Sequence, residues 1–412
     1  MANPTTIVGL DIGTTKIGVI IGELDSSGSL KIVGVGTSPS DGLRKGMVVN
    51  IDKTVKSIER AVGEAELMAG VDVELVYVGI AGDHIKSINS RGVIAVSRND
   101  NEITRPDVDR VIEAARAVAI PLDREMLHVI PQDFIVDDQP GIKDPVGMSG
   151  VRLEGDVHIV TGAITSVQNL YKSVEKAGLK VAGVVLEPLA SSYAVLEDDE
   201  RELGCAVLDI GGGTTDLIVF IEDNVRHTAS IGLGGRNVTN DLAIGIRTPL
   251  ERAEEIKRAY GTCLRSGLEG GDYIPVPGVG GRDQREVSRA VLASIIEPRM
   301  REIFTLALRE LQKNHYLDTL GAGIVLTGGC SMLHGVAELA EQVFGMPVKI
   351  GVPKGFGGLV DAVASPAHAT GVGLVQYGMA RQANGKHEDF GHGGDRVMGL
   401  LKKMTEWVKQ YV

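Results

Sequence analysis

The sequence predicts an α/β protein built from two related lobes with a smaller inserted unit, and three observations lead there. Short apolar runs of strand character alternate along the 412 residues with longer stretches of helical periodicity. A glycine-rich turn opened by an aspartate occurs twice, as LDIGTTK at 10–16 and LDIGGGTTDLIVF at 208–220, each time between two apolar runs. The stretch from 84 to about 160 interrupts the first half with a helix and turn-rich strands of its own.

Strands are expected at 5–11, 17–23, 31–37, 75–80, 156–162, 204–210, 216–221 and 323–327. Helices are expected at 52–70, 106–118, 166–177, 188–197, 235–245, 250–260, 285–313 and 333–344. Helices of this length cover sheets, so the alternation implies layered α/β lobes. Recurrence of the loop at mid-chain implies a cleft between the two copies. In the insertion, Thr104-Arg105-Pro106-Asp107 starts a helix, since proline is tolerated in a first turn, and strands surround Pro131 and Pro140. A surface loop of this length without structure of its own would be uncommon.

A strand, a tight Gly/Thr turn and a returning strand expose backbone N–H groups, and glycine lets a phosphate approach closely. Gly13, Gly211, Gly212 and Gly213 supply that backbone; Thr14, Thr15, Thr214 and Thr215 add hydroxyl donors, and Lys16 adds a point charge. Asp11 and Asp209 suit a hydrated Mg²⁺, an ion that keeps several waters and takes few carboxylates. Downstream, Ile324-Val325-Leu326 runs into Thr327-Gly328-Gly329-Cys330-Ser331-Met332, a flat backbone against which an adenine ring can lie. Taken alone, that segment reads better as an ordinary strand-to-helix turn.

Composition bounds the rest. A chain of 412 residues with 43% hydrophobic content supports two or more domains with real cores. Cys205, Cys263 and Cys330 have neither paired nor metal-ligand spacing, which suits buried thiols in a reducing compartment such as the cytoplasm. The first apolar run already contains Asp11, so no secretory signal is read there, and no apolar stretch is long enough to span a bilayer. A net charge of −12 argues against general nucleic-acid binding.

The C-terminus carries its own message. Residues 381–396 are polar and glycine-rich, as in a flexible linker, with His387 and His392 as linker residues rather than metal ligands. Beyond it, Val397, Leu400, Leu401, Met404, Trp407, Val408 and Tyr411 fall within an arc of about 120° of a helix. Lys402, Lys403 and Lys409 lie off that face, opposed only by Glu406. A core or docking helix would show the same stripe, but the single Trp, the lysines and the preceding linker favour a helix lying on an anionic membrane surface.

The three glycine segments, in this order, resemble the nucleotide-binding signatures shared by actin, sugar kinases and the heat-shock chaperone ATPases. Glu187-Pro188-Leu189-Ala190-Ser191-Ser192-Tyr193 looks like the helix that connects the lobes in that superfamily, and Gly234-Gly235, Asp241, Glu254, Lys257 and Arg258 resemble its ribose and adenine segment. Within the superfamily the chain resembles the bacterial FtsA family. His128-Val129-Ile130-Pro131-Gln132, Asp144 to Arg152, Ile296-Glu297-Pro298-Arg299 and the terminal helix carry that likeness over nearly the whole chain, weakening at the extreme N-terminus and at 381–396.

This resemblance implies an actin-like two-lobed ATPase fold, with duplicated ribonuclease H-like lobes and an inserted small α+β subdomain at 84–160. It implies a first lobe from 1–83, 161–190 and 366–382, a second-lobe core from 191–226 and 313–365, a small subdomain at 227–312, a linker at 383–396 and a membrane helix at 397–412. It implies ATP and Mg²⁺ as cofactors, with Glu187 beside an attacking water and with Asp11 and Asp209 completing a set for slow hydrolysis at most; Glu187 could equally cap a helix or serve in Mg²⁺ hydration. The partners implied are further copies of the chain in a filament, later division proteins through 84–160, and the FtsZ C-terminal peptide at Arg285, Arg289, Arg299 and Glu302. The implied role is to anchor FtsZ filaments at the inner face of the cytoplasmic membrane. A small-molecule kinase on the same fold would need an acceptor-site motif, which is not recognisable; a chaperone ATPase would carry a following substrate domain; and a pilus-assembly homologue would not be expected to carry the lysine-rich terminal helix.

Overall fold

The computed structural model describes residues 5–25, 28–97, 100–265 and 272–383. The linker and the membrane helix expected at 383–396 and 397–412 thus fall, apart from the backbone of Ala383, outside the described residues.

Two sheets share one strand order. In the first lobe, Leu30–Pro39, Lys16–Leu24 and Thr5–Ile12 run antiparallel, and Leu75–Ile80 and Lys180–Leu186 continue in parallel, with the short Gly357–Gly358 added at the far edge. In the second, Asn224–Ile231, Thr215–Ile221 and Cys205–Ile210 are antiparallel, followed by parallel Gly323–Thr327 and Val348–Ile350. The central strands Cys205–Ile210 and Gly323–Thr327 are buried at every residue, which is why they read as unbroken apolar runs rather than as alternation.

Helices cover the sheets where the sequence periodicity places them. Ile51–Ala69 is opened by Asn50, whose side chain accepts the Lys53 N–H at 3.0 Å, and is closed by Gly70 in the left-handed region. Its apolar stripe packs on the first sheet. On the opposite side Glu187–Val195 and Ala369–Ala383 cross so closely that a Cβ at Gly373 would strike the Ala190 carbonyl, and Glu187 opens the first of these helices.

The insertion is an antiparallel sheet in the order Lys86–Ala95, Arg152–Ala163, Arg124–Val136, Gln139–Ile142, covered by helix Arg105–Arg116. The Asp107 carboxylate accepts from the Thr104 N–H and hydroxyl at 2.9 and 2.6 Å, closing the helix start read from the sequence. Though spliced into the first lobe, this sheet also leans on the edge strand Asn224–Ile231 of the second. Ser87 donates to the Thr228 carbonyl at 2.8 Å, Asn89 to that of Arg226 at 3.2 Å, and Asp133 pairs with Arg226. Buried His158 spans the seam, with Nδ1 2.7 Å from Asn89 Oδ1 and Nε2 3.0 Å from Thr228 Oγ1. Burial lowers the ring to about 3, so it bridges as neutral imidazole.

Several elements differ from expectation. The helix expected at 285–313 begins at Arg289, because Arg285–Ser288 pairs as a strand with Tyr273–Val276, burying Ile274 and Val276. Strand pairing overrides helical periodicity there. The helix expected at 333–344 begins at Val336, since Gly335 has φ 74° and interrupts the turn. Strand Asn224–Ile231 was not anticipated: Arg226, His227, Thr228 and Ser230 make it look like a loop, whereas Arg226 and Thr228 face the seam and His227 pairs with Glu310 of the second lobe's own helix.

Candidate functional site

The two glycine turns meet across the cleft. Gly212 and Gly213 approach the first hairpin so nearly that a Cβ on either would collide with Thr15 or Thr14. Thr14 is itself seated, its Oγ1 accepting the Gly46 N–H at 2.9 Å. The second turn is closed by Gly211 N–H to Thr214 O at 3.0 Å, and the Gly211 and Gly212 carbonyls take the N–H groups of Gly235 and Arg236 at 2.9 and 2.8 Å. The second hairpin is thus tied to the N-terminus of helix Gly235–Gly245, whose first N–H groups it takes and the positive end of whose dipole lies beside the turn.

Beneath the turns lies an acidic cluster. Burial raises Asp11 to about 6 and Asp216 to about 7; Asp209 is raised by burial, and Glu187 well above the usual carboxylate value by burial together with Asp11, Asp216 and Asp209. Asp209 Oδ2 accepts the Thr370 hydroxyl at 3.1 Å. Lys16, lowered by burial, donates to the Ala367 carbonyl at 2.8 Å and is the cation that offsets Asp11 and Asp209. A hydrated divalent cation would supply charge that this cluster lacks, so Asp11 and Asp209 fit a Mg²⁺ held through water. Among the described residues no three His, Cys, Asp or Glu side chains converge as direct ligands.

Asp216 is the member that sequence reading missed. It pairs in register with Asp209 across the hairpin, and the signal was a carboxylate opening the otherwise apolar strand Thr215–Ile221.

Helices Gly235–Gly245 and Leu250–Tyr260 form the second-lobe wall. Lys257, buried, donates from Nζ to the Gly235 carbonyl at 3.2 Å, to Thr239 Oγ1 at 2.9 Å and to Glu254 at 2.7 Å. Burial opposes the Glu254 charge, yet Lys257, Thr239 and Arg258 together hold that carboxyl below its ordinary value. The whole cleft has a volume of about 1180 Å³, at the upper end for a small-molecule site. Asp11, Gly13, Thr14, Thr15, Lys16, Glu187, Asp209, Gly211, Gly212, Gly213, Thr214, Gly235, Glu254, Lys257, Arg258, Gly328, Gly329 and Met332 line it.

Other expected residues lie elsewhere. Thr215 is fully buried and donates to the Leu233 carbonyl at 2.9 Å, and Gly234 caps helix Gly235–Gly245. Asp241 does not line the cleft; it accepts from Arg299 Nε at 2.6 Å and Nη2 at 3.2 Å, and Arg299 also pairs with Glu302. Arg285 donates to the Ile246 carbonyl. Arg289, expected on the partner face, lines the cleft.

Comparison with known proteins places this geometry. The family description "Cell division protein FtsA" matches residues 206–373, and "SHS2 domain inserted in FTSA" matches 82–161. The chain is 51% identical to cell division protein FtsA of Pseudomonas aeruginosa, covering 98% of this chain and 97% of that one. It is 40% identical to that of Escherichia coli strain K12, again covering 98% and 97%. Among solved structures, the fold resembles the PilM-PilN type IV pilus biogenesis complex (TM-score 0.65, 18% identity, covering 90% of this chain and 98% of that one). It also resembles MreB5 of Spiroplasma citri bound to ADP (TM-score 0.55, 12% identity, covering 92% and 99%). The architecture is therefore the actin-like ATPase fold with an SHS2 insertion.

Proposed function

The chain belongs to the FtsA family of cell division proteins, and from that premise we propose that it is an ATP-binding, actin-like membrane anchor for FtsZ filaments. The observation that carries the nucleotide half is the apposition of two aspartate-led glycine turns over a buried carboxylate cluster with Lys16. In this reading the N–H groups of both turns hold the β- and γ-phosphates, Asp11 and Asp209 hold Mg²⁺ through water, and Gly328-Gly329-Met332 support the adenine. Glu187 stands over the same cluster and orients a water, giving slow hydrolysis at most.

The anchoring half rests on residues 397–412, whose stripe of Leu400, Leu401, Met404 and Trp407 with Lys402, Lys403 and Lys409 suits an anionic bilayer. One interfacial helix binds weakly and reversibly, so a filament presenting many tails supplies the avidity. Arg299 and Glu302, on the outer side of helix Arg289–Lys313, are the proposed contact for the FtsZ C-terminal peptide, and the 84–160 insertion the contact for later division proteins. The protein then works at the cytoplasmic face of the inner membrane at the division site.

Co-sedimentation with anionic vesicles in Mg-ATP, with FtsZ added, tests this reading. The full chain should carry FtsZ down with lipid, and a chain truncated after Arg396 should not. Equal sedimentation of both forms would remove the anchor role.

A further inference from the structure

Besides Lys257 and Cys330, the cleft is lined by Gly261, Leu333, His334 and Arg289. A Cβ at Gly261 would lie 3.2 Å from Leu333 Cδ2, so the chain turns tightly against this wall. Thr262 Oγ1 lies 3.2 Å from His334 Nδ1, which orients that ring. Arg289 is the first residue of helix Arg289–Lys313; its N–H is fixed to the Asp272 carbonyl at 2.8 Å. Its guanidinium reaches over the cleft edge, with Nε 3.4 Å from the Tyr260 carbonyl and Nη1 3.3 Å from Asp272 Oδ2. Both contacts are long for charged hydrogen bonds, and a guanidinium carries five N–H donors, so these partners leave donor capacity at the cleft wall.

A nucleotide with its phosphates against Thr14, Lys16 and Gly213 and its ribose beside Glu254 and Lys257 leaves its base to meet the remaining lining of the cleft, which includes Arg289. Purines present ring-nitrogen acceptors at their edge and a π face that attracts a guanidinium. We propose that Arg289 is a base-reading residue of the cleft, contacting the purine of the bound nucleotide, and not a residue of the peptide-binding face. The inference rests on the nucleotide reading above and deepens it.

The test measures three affinities on the full chain: for ATP, for inorganic tripolyphosphate and for an acidic peptide. Arg289→Ala should weaken ATP about tenfold, the loss of a charge-assisted contact, while leaving tripolyphosphate and peptide unchanged. Arg289→Lys, which keeps the charge and loses the planar fork, should recover only part of the ATP affinity. Unchanged tripolyphosphate binding reports that the variants remain folded. If Arg289→Ala binds ATP as the parent does and loses the peptide instead, the inference is overturned while the nucleotide reading stands. If the parent chain binds neither ATP nor tripolyphosphate, both fall together.

Discussion

The two lobes share a five-strand order, three antiparallel strands followed by two parallel ones, and differ in where each is interrupted. The first lobe is opened after its fourth strand, Leu75–Ile80, and the inserted sheet emerges beside the edge of the other lobe. The second is opened after its third strand, Asn224–Ile231, and the inserted helices form the wall around Lys257. The shared order places one aspartate-led turn at the mouth of each sheet, which makes a cleft unavoidable. The point of insertion decides what surrounds each sheet: a polar seam beside the inserted sheet and a hydrogen-bonded wall around Lys257 in the second lobe. The turns have diverged as well. Both keep a pair of threonines, but the first carries Lys16 and a single glycine, while the second has Gly211-Gly212-Gly213 ahead of its threonines so that its backbone can come close.

Four changes test this comparison. The largest effect is expected from Gly213→Val, which drives a branched side chain into Thr14; ATP affinity should fall by about 100-fold or more, near 3 kcal/mol. Retained affinity in a calorimetric titration would mean that the apposed turns are not the phosphate clamp. Next, Lys257→Met removes the buried ammonium that joins the Gly235 carbonyl, Thr239 and Glu254 and should cost about 1 kcal/mol of stability in urea unfolding, the Glu254 carboxylate it leaves being partly screened by water.

The seam comes third. His158→Ala removes the bridge between Asn89 and Thr228 and should cost about 1–2 kcal/mol. It also carries a pH signature. The folded ring titrates at about 3 against an ordinary 6.5, so the unfolded chain binds the extra proton between those values and this contribution to stability is lost as pH falls below about 6.5. A fit of unfolding free energy against pH should therefore have a shallower acid slope in His158→Ala than in the parent; identical slopes would show that His158 is not held neutral at the seam. Last, Arg252→Ala breaks an exposed pair with Glu255 on the helix Leu250–Tyr260 and should leave stability unchanged within the precision of urea unfolding. A larger loss would mean that the outer surface of the second-lobe wall matters more than its buried Lys257 hub.

What could be read in advance follows the range of the interactions. Hairpins, caps and apolar runs are local, so Asp11, Asp209, the glycine turns, the Thr104–Asp107 helix start and the alternation of strand and helix are legible along the chain. Asp216 was within reach by the same logic, as a carboxylate opening an apolar strand. The strand Arg285–Ser288 was not, because its pairing with Tyr273–Val276 crosses a Pro/Gly loop whose closure the local pattern does not report.

By itself the chain determined two like sheets, a glycine turn at each, a carboxylate at each turn and a polar stretch followed by a cationic amphipathic end. These are consequences of period, turn chemistry and charge, which act between neighbours. Only the tertiary structure decided that Asp241 faces Arg299 instead of the cleft, that Arg289 lines the cleft, and that His158 joins the insertion to the far lobe. Each of those outcomes is set by partners distant in sequence, since a polar group in a partly desolvated position takes the partner that packing brings within hydrogen-bond reach.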